Sequence, residues 1–177
     1  LNERLEQALY RAQRTGEAVA VLALDLDRFK AVNDIFGHGA GDDILRRVAA
    51  ILSASVRGDD LVARLGGDEF LIIQRAASSA DDARKLANRI LHTLATEMDV
   101  MHDPMAVGAS IGVAFYPQDG QNAETLQQNA DTALYRAKNN GRGNAAFFDQ
   151  EMDELARELR MLEHDLRQAI TRNQLRL

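Results

Sequence analysis

Two hydrophobic periods alternate along this chain. Leu1, Leu5, Ala8, Leu9 and Ala12 recur three and four apart among charged neighbours, which predicts an amphipathic helix over 1–14, ended by Gly16. The apolar run AVAVLAL over 18–24 is short and valine-rich, and predicts a central strand buried on both faces. It terminates in Asp25-Leu26-Asp27, and acid at the end of a buried strand points to function. Asp27 stands where it would cap a short helix over 28–35. The Gly37-His38-Gly39-Ala40-Gly41 stretch reads as a loop, with His38 packed inside it, before a longer helix over 43–56. Apolar residues at 61–63 and 70–73 flank Gly66-Gly67, so the glycines fall where a two-residue hairpin turn needs positive φ. A helix over 80–98, a strand over 106–115, a helix over 124–140 stopped by Gly141, and a short strand over 145–148 complete the pattern. After the first helix the order is β-α-α-β-β-α-β-α-β. It predicts an α+β domain, a mixed or antiparallel five-stranded sheet flanked by helices.

From residue 150 the pattern changes. Met152, Leu155, Leu159, Leu162, Leu166 and Ile170 lie three or four apart among many charges, which predicts one long amphipathic helix following a domain already complete. Residues 173–177 then alternate like the first strand of another unit. The expected division is therefore a catalytic or binding domain over 1–150, and over 151–177 a linker helix and the start of a further C-terminal domain. The chain starts at Leu1 rather than Met, which leads us to expect an unseen upstream part.

Composition narrows the chemistry. A chain of 177 residues with 46% hydrophobic content buries one core, with no room for a second large domain. It has no cysteine, which excludes disulfides and thiolate metal sites and suits a cytoplasmic location, any membrane anchor lying upstream. A net charge of −6 argues against a nucleic-acid polymer as partner, so any phosphate binding has to be local. Within Arg64-Leu65-Gly66-Gly67-Asp68-Glu69-Phe70, two adjacent carboxylates occupy a hairpin tip, and Asp25 ends a strand that could neighbour it. Three carboxylates at one sheet edge, without His or Cys, suit Mg²⁺ or Mn²⁺ and in-line attack on a phosphate.

Four blocks carry a resemblance: DLDRFKAVNDIFGHGAGDDIL, ARLGGDEF, SIGVAFYP and ADTALYRAKNNGRG. In order and spacing they resemble the GGDEF family of diguanylate cyclases over roughly residues 1–150, a fold akin to nucleotidyl cyclase and polymerase-palm domains. The resemblance implies condensation of two GTP, held by two facing domains of a homodimer, to cyclic di-GMP with loss of two pyrophosphates. It implies a metal site of Asp25, the Leu26 carbonyl, Asp68 and Glu69, and a catalytic set of Asp68, Glu69 and Lys30. Asp68 would assist deprotonation of the 3′-hydroxyl. Gly66 and Gly67 would let the nucleotide approach the backbone, Lys30, Lys138 and Arg142 would contact phosphates, and Asn33 and Asp42 would read guanine. The bland alternatives are a loop Asn33, an N-capping Asp42, a solvated Lys30, and Lys138 with Arg142 as a basic helix terminus.

Arg57-Gly58-Asp59-Asp60 contains RxxD six residues before Gly66, where the family has its inhibitory product site. Arg57 would hold phosphate or stack on guanine and Asp60 would accept from a guanine edge, against the alternative of a surface ion pair. A second arginine is expected there, with Arg75, Arg84 and Arg89 as candidates. The C-terminal stretch is similar to the segment joining GGDEF to EAL phosphodiesterase domains. Two further functions follow from that similarity: a catalytically silent GTP-binding regulator of an attached EAL domain, or a cyclic di-GMP receptor acting through Arg57 and Asp60.

Overall fold

The computed structural model describes residues 1–75, 77, 79–99 and 107–150. The linker helix and terminal strand expected over 151–177 lie outside the described residues. Ten elements run in the order α1 (Asn2–Thr15), β1 (Val19–Leu26), α2 (Phe29–Phe36), α3 (His38–Ser55), β2 (Leu61–Gly66), β3 (Glu69–Gln74), α4 (Ala80–Asp99), β4 (Ala109–Tyr116), α5 (Ala123–Asn139) and β5 (Ala145–Phe147).

The strands form one five-stranded sheet in the order β2-β3-β1-β4-β5, antiparallel except for the β4–β5 pair. It is the mixed sheet flanked by helices that the pattern predicts. All eight residues of β1 are buried, since the strand is central and both faces are covered, which accounts for its unbroken apolar run. Leu22, Leu24 and Leu26 pack with Phe29, Leu45, Val48, Leu52 and Ile90 of the α2, α3 and α4 layer. On the opposite face Val19, Val21 and Ala23 meet Leu5, Leu9, Leu126, Ala130 and Leu134 of α1 and α5. Because strand side chains alternate, Asp25 continues the series that faces α5.

Gly112, in the middle of β4, sets how closely α5 lies on this face. A Cβ there would fall 2.1 Å from both the Ala130 carbonyl oxygen and the Leu134 backbone nitrogen. The helix backbone rests directly on the strand, so the last turn of α5 is brought down to the end of β1. At its other end α5 is capped by the Asn122 side chain, which accepts from Thr125 N–H at 2.8 Å. For α1 the expected stop holds, Gly16 taking φ 73° and its N–H donating to the Ala12 carbonyl.

Four local expectations are corrected. The long helix α3 begins at His38, not near residue 43, so the glycine-rich stretch is its first turn and His38 is an exposed helical residue. Two glycines cost roughly 1 kcal/mol each there by propensity, but Gly41 is needed: a Cβ would stand 2.0 Å from Asn33 Oδ1 and 3.1 Å from Phe29 Cζ. Tertiary contact with α2 overrides local preference. Asp27 caps nothing, since α2 starts with Arg28 in a left-handed conformation (φ 62°) and no side-chain cap bond. The strand β1 extends through Asp25 and Leu26. Finally, the hairpin loop is Gly67-Asp68 rather than Gly66-Gly67, because a register irregularity between Arg64 and Gly66 carries β2 one residue further. Only Gly67 of the pair takes positive φ, at 52°.

Candidate functional site

The strand register assembles the acids. Asp25 of β1 lies directly opposite Glu69 of β3, and both belong to the series facing α5. Like charges facing each other across two strands are unfavourable without a cation between or beside them. Asp68 sits in the hairpin loop, where its carbonyl accepts from Leu26 N–H at 3.2 Å, so the tip of the hairpin rests against the end of β1. Arg64 holds that tip: its Nε and Nη2 both donate to the Gly67 carbonyl, at 3.0 and 2.8 Å.

Lys138 supplies a cation to these acids. In the last turn of α5, its Nζ lies 2.7 Å from Asp25 Oδ2. The Asp25 carboxyl is nonetheless held above the usual carboxylate pKa, foremost by its burial; Lys138 pulls it down, while Asp68 and Asp27 push it further up. Asp131, two turns before Lys138 on the same helix, is also raised, first by burial and then by the charge of Glu69. This edge therefore concentrates negative charge beyond what one lysine offsets.

Among the described residues no three His, Asp or Glu side chains close into a ready metal cage. The donor set is instead two or three carboxylates and a backbone carbonyl at an open edge. That set suits a hard divalent ion which takes its remaining ligands from phosphate and water.

Lys30 is exposed in the first turn of α2. Asn33 and Asp42 are brought together by the α2–α3 corner, since Asn33 Oδ1 lies against Gly41, the residue before Asp42. Asp42 lies inside α3, which removes the N-cap alternative. With Leu45, Arg46, Arg64 and Phe70 it lines a pocket of about 350 Å³ beside the hairpin. Arg142 follows α5 in a left-handed conformation (φ 61°) between Gly141 and Gly143. A larger, mostly apolar groove of about 610 Å³, lined by Val32, Phe36, Ile44 and Met98 among others, contains none of the sequence-predicted site residues.

The RxxD residues line a separate pocket of about 380 Å³. Asp60 Oδ2 accepts from Arg57 N–H and Oδ1 from Arg75 N–H, both at 2.9 Å. Its carboxylate is a clamp joining the 57–60 turn to the end of β3, and it sets Arg57 and Arg75 side by side. Of the three candidate second arginines, Arg75 lines the pocket, and its Nε is buried without a hydrogen-bond partner among the described residues. Arg84 instead lies over the Phe147 ring at 4.4 Å, and Arg89 donates to the Ser55 carbonyl. Arg11 of α1 joins the same lining. Sequence reasoning missed Arg11 and Asp131. Only Asp131 left a signal, its four- and three-residue steps to Tyr135 and Lys138.

A family model described as "Diguanylate cyclase, GGDEF domain" matches residues 1–144. The chain belongs to the GGDEF family. MucR of Pseudomonas aeruginosa, a bifunctional diguanylate cyclase/cyclic di-GMP phosphodiesterase, is 46% identical over 175 residues, covering 99% of this chain and 25% of MucR. NbdA of the same organism, a cyclic di-GMP phosphodiesterase, is 36% identical over 176 residues, covering 99% of this chain and 22% of NbdA. The chain thus spans about a quarter of the length of these curated relatives. The solved GGDEF domain of TpbB, also called YfiN, from P. aeruginosa matches with a TM-score of 0.81 at 34% identity, covering 88% of this chain and 91% of that one. The five-stranded sheet is thus the GGDEF fold, and among the described residues no helix is long and apolar enough to cross a membrane.

Proposed function

We propose that this GGDEF domain is a diguanylate cyclase, condensing two GTP into cyclic di-GMP with release of two pyrophosphates when two copies face each other. The observation that carries the reading is the meeting of Asp25, Glu69 and the Asp68 loop at one sheet edge, with Lys138 alongside. Asp25, the Leu26 carbonyl, Asp68 and Glu69 hold Mg²⁺ or Mn²⁺. Such an ion, when bound, neutralises phosphate charge and acidifies a coordinated hydroxyl. Lys30, Lys138 and Arg142 bind the triphosphate and stabilise the charge that grows on departing pyrophosphate. Asp68 takes the 3′-hydroxyl proton, and the open Gly66-Gly67 backbone admits the nucleotide.

Asn33 and Asp42 select the base. A carboxylate accepts from the guanine N1–H and exocyclic amine, whereas adenine has no donor at N1. Gly41→Ala displaces Asn33, because the severe clash falls on the far end of a side chain that can swing away, while the buried Phe29 ring at 3.1 Å has to give by only a few tenths of an ångström. The variant is expected to keep its melting temperature within a few degrees and to bind GTP about tenfold more weakly, the scale of one lost base hydrogen bond. Calorimetric titration beside a thermal melt checks this.

The decisive experiment incubates the chain at high concentration with GTP and Mg²⁺, separates nucleotides by chromatography and runs Asp68→Ala in parallel. Cyclic di-GMP from the unmutated chain alone is the expected result. Absence of product, even when dimerisation is forced, sinks the cyclase reading. A second reading is a GTP-binding regulator without turnover, attached to an EAL domain. It is favoured by the similarity to NbdA, a phosphodiesterase, and predicts GTP binding without product. In either case Arg57 and Arg75, set by Asp60, with Arg11 in the same pocket lining, form the site for cyclic di-GMP as inhibitor or ligand.

A further inference from the structure

Asp27 is a buried acid, 7% exposed, which the proposed chemistry does not use. Its backbone N–H donates to the Gly108 carbonyl at 2.8 Å, fixing the residue at the end of β1. Its carboxylate joins two other parts of the chain. Oδ1 accepts from Ser110 Oγ of β4 at 2.9 Å, and Oδ2 accepts from Gly143 N–H at 3.0 Å. Gly108 gives it room: a Cβ at that position would stand 3.3 Å from Oδ2.

The segment it reaches is unusual. Gly141, Arg142 and Gly143 take φ of 103°, 61° and 63°, three successive positive values. For the two glycines this is inexpensive, but an arginine in the left-handed region is strained, and surrounding bonds have to hold it. Asn144 supplies some of them, its Nδ2 donating to the Ala137 and Arg142 carbonyls at 3.0 Å. The bond from Gly143 N–H to Asp27 ties the turn to the sheet. Arg142 Nε then lies 3.9 Å from Asp27 Oδ1, while the arginine side chain stays 57% exposed. One edge of the guanidinium faces a fixed carboxylate, and more than half of the side chain is open to solvent.

We infer that Asp27 is a positioning residue for nucleotide phosphate: it fixes the Gly141–Gly143 turn to β1 and so aims Arg142. This rests on the reading of Arg142 as a phosphate contact. Asp25, near the end of β1, and Asp27, in the turn just after it, thereby divide their work. The first meets Lys138 and the second governs Arg142, so the end of β1 sets both basic groups.

The test compares the unmutated chain, Asp27→Asn, Arg142→Ala and the double variant, titrated calorimetrically with GTP and with guanosine. Asn at 27 preserves shape but loses the charge and one of the two acceptors. Expected is a loss of about tenfold in GTP affinity for Asp27→Asn, with guanosine affinity and melting temperature little changed. In the Arg142→Ala background the same substitution should add nothing. Equal losses for GTP and guanosine, or an undiminished loss when Arg142 is absent, would overturn the inference. Trypsin cleavage after Arg142, run on Asp27→Ala as well because alanine keeps no acceptor for Gly143 N–H, provides a nucleotide-free readout, expected to be faster in Asp27→Ala; an unchanged rate there shows that Asp27 does not hold the turn. Failure of the unmutated chain to bind GTP, or an Arg142→Ala variant that binds it normally, strikes the phosphate reading itself. The trypsin arm still decides whether Asp27 fixes the turn.

Discussion

Asp25→Asn is expected to make the protein inactive and, at neutral pH without metal, more stable. On the activity side, under the proposed cyclase reading loss of a carboxylate at the end of β1 removes one of the proposed metal ligands, and cyclic di-GMP formation should fall at least ~10³-fold, about 4 kcal/mol of barrier. On the stability side, burial raises the Asp25 carboxyl above its ordinary value in spite of Lys138. A carboxyl whose folded pKa is raised binds its proton more tightly in the native state. Its stabilising contribution is therefore complete below the unfolded pKa, about 4, and is lost as pH climbs through the higher folded value. At pH 7 the native state carries a buried charge it does not favour, and asparagine relieves it while still accepting from Lys138. Melting curves in EDTA at pH 7 and near pH 4 check the sign. The variant should melt higher at pH 7, with the advantage gone near pH 4; a lower melting point at pH 7 would show that the Lys138 pair outweighs burial.

Gly112→Ala should be the most damaging single-methyl change in the sheet. The added carbon would meet backbone atoms of Ala130 and Leu134 at 2.1 Å, and helix backbone cannot swing aside as a side chain can. Either α5 lifts from β4 or the strand bends, at a cost of about 3 kcal/mol or more, the upper part of the range for overpacking. Such a change lowers the melting temperature by roughly 10 °C in a domain of this size. Lys138 would move with the helix, so the distance to Asp25 would no longer be 2.7 Å and activity should fall even in the folded fraction. Urea denaturation followed by circular dichroism is the measurement; an unchanged midpoint would mean that the seat of α5 on β4 is looser than the geometry indicates.

These two residues also show what the sequence made legible. The run ending at Asp25 reads directly as a buried strand carrying acid, since two-sided burial leaves an unbroken apolar pattern. The helix periods of α1, α4 and α5 are equally plain. Gly112 was not legible as a contact, because a glycine inside a strand looks alike whether it marks a bulge or a close helix. The α3 start was lost for a related reason: Gly41 is there for Asn33, a long-range demand that local propensity cannot express. The hairpin loop was misplaced by one residue because Gly-Gly satisfies either register, and only the irregularity at Arg64/Gly66 decides.

At the site, spacing suggested that Asp25 and the hairpin acids could be neighbours, and the β1–β3 register makes Asp25 and Glu69 direct partners. Pairings between residues far apart in the chain were hidden. Lys138 on Asp25, Gly143 on Asp27 and Arg75 on Asp60 join segments whose local patterns carry no trace of one another. Asp27 is the clearest case, as an acid before a helix suggests a cap on local grounds, while its bonds run to residues 110 and 143.

The full burial of β1 has one further consequence. Local opening events begin where few apolar contacts must be broken, and a strand covered on both faces opens only with the whole domain. Among the described elements, Asp25 therefore stands on one of the last to loosen. The hairpin tip and the glycine turn around Arg142 lie at the surface, yet each is tied back to this strand end, by Leu26 N–H on the Asp68 carbonyl and by Gly143 N–H on Asp27. The domain thus sets a rigid datum from which both surface loops take their position.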